Sequence, residues 1–350
     1  MQVPCGLALP VNRSTRQQGV VLLIVLFFAL LLTSSIATFT RRAIIDASVA
    51  RNRDAAARAE ALARSGIRLG KSVLVMDQIQ ETVTQQTIDS HQDAWSKLSK
   101  TAIPGGDGAV LTITIEDSGM LFNLNAIFDY ADGGAPYSST EPFLKEFFDK
   151  VIDEMKIPPG EKFYDVYELI EALMDWVDTD PIRIQGGLED TYYQLQQPPY
   201  RAANAPLLSV DDLALIEGFD RKLVDALQRY ITVQPFAGGG GINLNTAPAH
   251  VLSLIYSNDG VVDRLAKEDQ VKEILKYRGE GRIICGESLA IEGCVPISSI
   301  VQNAIFPPPT YAASVFTIIA RARVGEIHRS IEAVVNRSID PPLVLSWRVR

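Results

Sequence analysis

Histidine and cysteine are scarce in this chain, with three of each in 350 residues. His91, His250 and His328 stand far apart, and none falls in a metal-ligand spacing such as H-E-x-x-H. A G-x-S-x-G nucleophile elbow is missing, and "GGGG" lacks the Lys and Ser or Thr of a phosphate-binding loop. The residues therefore point away from an enzyme. Positive charge is also short: 33 Lys and Arg face 42 Asp and Glu, a net charge of −9. A surface this acidic argues against sequence-independent nucleic-acid binding, which needs a dense cationic face. Cys5 lies near the start, while Cys285 and Cys294 close the stretch "CGESLAIEGC". Those two fit either one disulfide in an oxidising compartment or two buried thiols. Proline, finally, is absent from Val11 to Ile103, so nothing in that span breaks a helix.

That proline-free span holds a long hydrophobic run. "RSTRQQGVVLLIVLFFALLLTSS" carries Arg13, Arg16 and Gly19, then thirteen residues, Val20 to Leu32, without a polar side chain. From Val20 to Phe39 the chain is about 30 Å long as a helix, enough to cross a bilayer. A conventional signal peptide cut after Ala37 is the alternative. Arg13 and Arg16 on one side face Arg41 and Arg42 on the other, so counting positive charges leaves orientation open. Stepping from Ile45 by three or four residues gives Val49, Asn52, Ala56, Ala59, Leu62, Gly66, Leu69, Val73 and Met76, a helical stripe with one polar member. Membrane span and amphipathic helix can then be one rod. A cut after Ala37 would discard half of it, whereas a cut after Gly19 keeps it whole.

A basic leader ending in Gly, an apolar segment beginning at the next residue and a long amphipathic continuation resemble the type IV prepilin class. "QQGVVLLIVL", "FNLNAI", "ALMDWVDTD", "GGLEDTYY", "PPYRAANAPL" and "INLNTAP" together resemble the type II secretion minor pseudopilin K family. The resemblance implies cleavage between Gly19 and Val20 by a prepilin peptidase, with Val20 N-methylated. Ordinary pilins carry Glu at the fifth mature position; Ile24 stands there, and K-type subunits, which lack that Glu, cap the pseudopilus. A carboxylate in a bilayer costs roughly 2.5 to 3.5 kcal/mol unless a partner compensates it, and a tip subunit has no subunit ahead to supply one. Expected partners are the minor pseudopilins of I, J and H types, the major pseudopilin, the prepilin peptidase and the inner membrane, with no nucleic acid. The expected location is a single-pass inner-membrane anchor with the globular part in the periplasm of a Gram-negative bacterium.

Acidic residues cluster at Asp175, Asp178 and Asp180 and again at Glu189 and Asp190, beyond a loop with Pro181, Gly186 and Gly187. A loop that doubles back can offer Ca2+ the six to eight oxygens it takes; alternatively, these residues cap helices or face solvent. The K-type family binds calcium in its helical domain, and this motif matches. Asp178, Asp180, Glu189 and Asp190 are the expected ligands, with Asp175, on a helix, held apart.

The expected fold is α+β: a type IV pilin-like long helix on a small antiparallel sheet, with a large inserted all-α domain. Residues 1–19 form the leader, 20–40 the membrane span, 41–80 the amphipathic continuation, 104–127 and 238–350 the pilin-like domain, and 128–237 the insertion. "VLTITIED" alternates as a half-buried strand, "SVFTIIARARVGEIHRSIEAVV" reads as a hairpin about Gly325, and "LVLSWRVR" as a final strand. A competing function is a membrane-anchored DNA-binding protein of an uptake system. "LIEGF", Leu215 to Phe219, fits a helix-hairpin-helix turn, but Ala205 to Glu280 holds eight Lys and Arg against eleven Asp and Glu.

Overall fold

A computed structural model describes residues 15–84, 87–99, 101–158, 160, 162–236, 240–258, 263–287 and 293–349. Most of the expected leader, Ala237 to Gly239 of the glycine run, and residues 288–292 between the two cysteines lie outside the described residues.

Helix α1 (Thr15–Thr84) is the proline-free span expected from the sequence. Its most apolar window has a mean hydropathy of 2.8 and is entirely unburied within the chain. Water would be a poor solvent for that surface; a bilayer suits it. Farther along, α1 lies on a five-stranded sheet of β1 (Ala102–Pro104), β2 (Val110–Asp117), β3 (Val315–Val324), β4 (Ile327–Asn336) and β5 (Leu343–Val349). The strands lie in that order and every neighbouring pair is antiparallel. The expected hairpin turns at Gly325, whose φ of +58° suits a residue without a side chain. Alternation puts Leu111, Ile113, Ile115, Phe316, Ile318, Ala320, Ile331, Ala333 and Val335 against α1.

The face of α1 that meets the sheet is turned from the expected stripe. Ala59, Ala63, Gly66, Ile67, Gly70 and Leu74 are buried, while Leu69 is 39% and Met76 70% exposed. Close approach to the sheet selects small side chains at Ala59, Ala63, Gly66 and Gly70, with Ile67 and Leu74 filling the space between them.

Between β2 and β3 the chain builds a second core around α2 (Thr140–Met155), α3 (Val166–Val177), α4 (Arg221–Leu227) and α5 (Glu268–Gly279). This fold is α+β, but the insertion differs from the expected all-α block at 128–237. Phe122 already belongs to the second core, and so do Ile242, Leu244, Val251, Ile274, Ile284 and Val301. Only the final strands rejoin the sheet under α1. Short strands accompany the helices: Tyr256–Asn258 pairs with Asp263–Leu265 and Ile305–Phe306, and Ile283–Cys285 runs parallel to Cys294–Pro296. The apolar residues after Gly241 bury against the helices rather than against the sheet, which shifts the boundary.

The tetrapeptides Phe122–Asn125 and Ile242–Asn245 fold alike. In each, the first Asn side chain accepts the N–H of the second, at 3.1 Å for Asn125 and 3.0 Å for Asn245. Asn125 then donates to the Leu207 carbonyl at 2.9 Å and accepts its N–H at 3.1 Å. Asn245 does the same to Ile284, at 2.9 and 2.8 Å. Each buried amide thus stands in for one rung of a ladder and satisfies backbone groups far along the chain.

Candidate metal centre

Asp165 starts α3 as its N-cap, its side chain accepting from the N–H groups of Tyr167 and Glu168. The helix ends at Val177, and Asp178 leaves it in an extended conformation. Gly134 fixes this exit: a β-carbon there would meet the Val177 carbonyl oxygen at 2.8 Å, and Thr179 donates its N–H to Gly133 at 3.0 Å. Beyond Asp180 the chain makes a tight hairpin. Ile182 bridges Leu188, Arg183 donates its N–H to the Gly187 carbonyl at 3.1 Å, and Gly186 and Gly187 take φ values of +87° and +98°. The hairpin returns Glu189 to the end of α3, where its N–H donates to the Pro181 carbonyl at 3.3 Å.

Asp175, Asp178 and Glu189 converge there, each offering a carboxylate oxygen within 4.8 Å of the others. Asp175 and Glu189 are buried, Glu189 to 3% exposure. Asp178 Oδ1 and both Glu189 carboxylate oxygens are buried with no hydrogen-bond partner. Burial, aided by the charges of Asp180 and Asp175, pushes the Asp178 carboxyl up to about 6. Burial, then Asp178, Asp175 and Asp180, pushes Glu189 up to about 7. Burial likewise raises Asp175, against the lowering influence of the Ile184 N–H and of Arg183. Orphaned carboxylate oxygens of like charge are costly unless a cation joins them. Converging hard oxygen donors are the chemistry that Ca2+ takes, so the residues fit the ion.

The expected ligands divide. Asp178 and Glu189 come together, whereas Asp180 and Asp190 stand outside the group. Asp180 Oδ1 accepts the Ile182 N–H at 2.8 Å, opening the hairpin, and Asp190 Oδ1 accepts the Ala202 N–H at 3.1 Å beside Arg201. Short polar side chains at turns bind local backbone first, as Asp180 does, whereas Asp190 is held by backbone twelve residues on. Asp175, held apart in the sequence reading, is a member. Its helix position says nothing about the hairpin that folds onto it, although a spacing of three residues from Asp178 is the signal that places both on one side of a helical turn.

At the other end of the chain, Gly19 and Val20 are helical, no atom would crowd a β-carbon on Gly19, and Val20 and Ile24 are 59% and 48% exposed. Cys285 and Cys294 are joined, with Cα atoms 6.0 Å apart.

The family described as type II secretion system (T2SS), protein K matches residues 120–236, the stretch that carries α2, α3, the hairpin and α4. Type II secretion system protein K of Aeromonas hydrophila is 25% identical over 338 residues, 95% of this chain and 97% of its own length. Over residues 120–236, and at lower identity over nearly its whole length, this chain is similar to the type II secretion protein K family. The protein K of Klebsiella pneumoniae is 28% identical over 217 residues, and the chain spans 62% of that relative's length. The protein K of Pseudomonas aeruginosa is 30% identical over 218 residues, 59% of this chain and 60% of the relative. A chain in the crystal structure of the GspK-GspI-GspJ complex from enterotoxigenic Escherichia coli superposes with a TM-score of 0.57 at 18% identity, covering 86% of this chain and 99% of that one. At that identity the two share their fold.

Proposed function

We propose that this chain is a non-enzymatic minor pseudopilin that caps the tip of the periplasmic pseudopilus and helps to initiate it. One observation carries the reading: a single helix is unburied and apolar enough to span a bilayer over its first part, and packs on the sheet over its second. Such a rod ties a globular head to the membrane without a flexible joint. Cleavage after Gly19 preserves the rod, and Ile24 leaves no carboxylate to seek a partner subunit ahead. By analogy with the solved complex, I- and J-type minor pseudopilins are its neighbours, with the H-type and major pseudopilins behind them. Asp175, Asp178 and Glu189 would hold Ca2+, which would neutralise the charge that otherwise pushes the hairpin from α3.

The DNA-uptake reading is weaker on the structure. Arg221, beside the helix-hairpin-helix turn, is held by Asp211 at 2.9 Å and Asp225 at 2.8 Å, so its charge is already engaged. Intact-mass analysis of protein extracted from the inner membrane tests the proposal. The expected species begins at an N-methylated Val20 and co-extracts with I- and J-type subunits when these are co-expressed. A mature terminus at Thr38 would overturn it.

A further inference from the structure

Arg183 lies on the hairpin beside the carboxylate cluster. Its Nε is 3.7 Å from Asp175 Oδ2, and its Nη2 donates to Glu217 Oε2 at 2.5 Å. The Asp175 carboxylate divides its two oxygens: Oδ1 accepts the Ile184 N–H at 3.0 Å, and Oδ2 faces the guanidinium. Backbone bonds on both sides of Arg183, its N–H to Gly187 and the Gly186 N–H to its carbonyl at 2.7 Å, hold the guanidinium within reach.

Resting on the cation-site reading above, we propose that Arg183 is a built-in competitor that sets the affinity of this site and its preference for divalent over monovalent ions, with Glu217 as the partner that keeps the guanidinium when the site loads. The charges make the case. Three carboxylates converge, and one guanidinium at their edge offsets one charge, leaving the inward oxygens of Asp178 and Glu189 orphaned. A monovalent ion offers no more charge than Arg183 already supplies from within the chain. A divalent ion offers twice as much, and at the centre of the cluster rather than at its edge, so it displaces the guanidinium from Asp175 Oδ2. Arg183 then keeps Glu217, which stands in the turn between Val210–Leu215 and α4, and loading of the site is felt there. A fixed positive charge a few ångströms from a divalent ion weakens its binding on the order of tenfold in a partly solvated site.

Calorimetric titration of CaCl2 into the full-length protein in detergent micelles, after removal of ions with chelator, tests this. Arg183→Gln should bind Ca2+ on the order of tenfold more tightly than the wild type, and Arg183→Lys, which keeps the charge, should stay near it. Glu217→Gln should weaken binding in the wild-type background and change little in the Arg183→Gln background, because the two residues then act as a coupled pair. A misfolded variant would bind less tightly, so tighter binding cannot come from structural damage. Equal or weaker binding by Arg183→Gln, or Arg183→Lys matching Arg183→Gln, overturns the inference. Binding by Arg183→Gln where the wild type shows none supports the competitor and limits only the wild type's loading. Should neither bind, the cation site itself is absent and the inference falls with it.

Discussion

A β-carbon placed on Gly66 would stand 2.8 Å from the β-carbon of Ala320 and 2.9 Å from Leu111 Cδ1. One turn farther, a β-carbon on Gly70 would meet Ile318 Cγ2 at 2.8 Å. These two glycines let α1 settle onto the sheet. In an exposed helix, Gly to Ala gains up to about 1 kcal/mol. Here the added methyl meets packed side chains on short or branched stems, and overpacking costs about 1–3 kcal/mol. Gly66→Ala should therefore lower the thermal midpoint of the full-length protein in micelles. A raised midpoint would mean that α1 does not approach the sheet this closely.

Calcium should stabilise the protein by linkage, about 2.7 kcal/mol at a hundredfold excess over Kd. Asp178→Asn or Glu189→Gln should each abolish the rise in melting temperature between chelator and calcium. Asp190→Asn should keep it, because Asp190 is committed to Ala202 and Arg201. Magnesium, which demands a rigid octahedron, should substitute poorly. Ligands must be ionised to bind, so apparent calcium affinity should fall as pH drops through about 7 and then 6, where Glu189 and Asp178 take up protons. Equal melting curves with and without calcium would remove the ion from this reading.

How much of this was legible follows from the range of each signal. The rod of α1, the hairpin about Gly325 and the last strand show in local periodicity and in the lack of proline, and the structure repeats them. The phase of the α1 stripe showed only in part: Ala59 and Gly66 lie on it and are buried, but the contact continues through Ala63, Ile67, Gly70 and Leu74 while Leu69 and Met76 face out. Asp178 and Glu189 were visible as acids flanking a glycine turn. Membership of Asp175 depends on how the hairpin folds back onto α3, which no local pattern encodes. The matching "NLN" of 122–125 and 242–245 was plain in the letters, yet its shared role needed Leu207 and Ile284, both distant in sequence.

That shared role is testable. Asn245→Leu keeps the volume nearly constant but strips the Ile284 N–H and carbonyl of their partner, and unsatisfied buried groups cost about 1–3 kcal/mol. Asn125→Leu should cost a similar amount at Leu207. Hydrogen exchange should show faster exchange at the Ile284 amide in the first variant and at the Leu207 amide in the second. Unchanged protection at both amides would show that the paired Asn bonds do not hold these segments.

Cys285 and Cys294 join two parallel strands, and a short closed loop is worth about 2 to 3 kcal/mol. Native protein alkylated without reductant should show neither cysteine modified. Two modified thiols would instead make them ordinary free cysteines.

Arg337 ties the end of α1 to the end of β4. Buried just past the end of β4, it reaches Asp77 at 3.0 Å, Glu81 at 3.0 Å and Asp89 at 2.6 Å, and lies over the Phe316 ring at 4.7 Å. Removing one partner of a buried ion pair costs about 3–5 kcal/mol, because the remaining charges stay buried and unpaired. Arg337→Gln should show a loss toward that size near pH 8, where Asp89 ionises. The charged groups facing Asp89 are Arg337, Asp77, Glu81 and Asp117; burial pushes Asp89 up to about 8 in spite of Arg337, and pushes neighbouring Asp93 up to about 6. A carboxyl whose folded pKa lies above its unfolded value favours the fold when protonated and loses that contribution as pH rises through the folded pKa. Without the guanidinium these carboxyls rise further, so they are protonated over more of the range. The deficit of Arg337→Gln relative to the wild type should therefore shrink between pH 8 and pH 5 in denaturant titrations of the full-length protein. A deficit that stays constant across that window would mean that Arg337 acts through its packing on Phe316 and its Nε bond to the Ala313 carbonyl, rather than through the three carboxylates it meets.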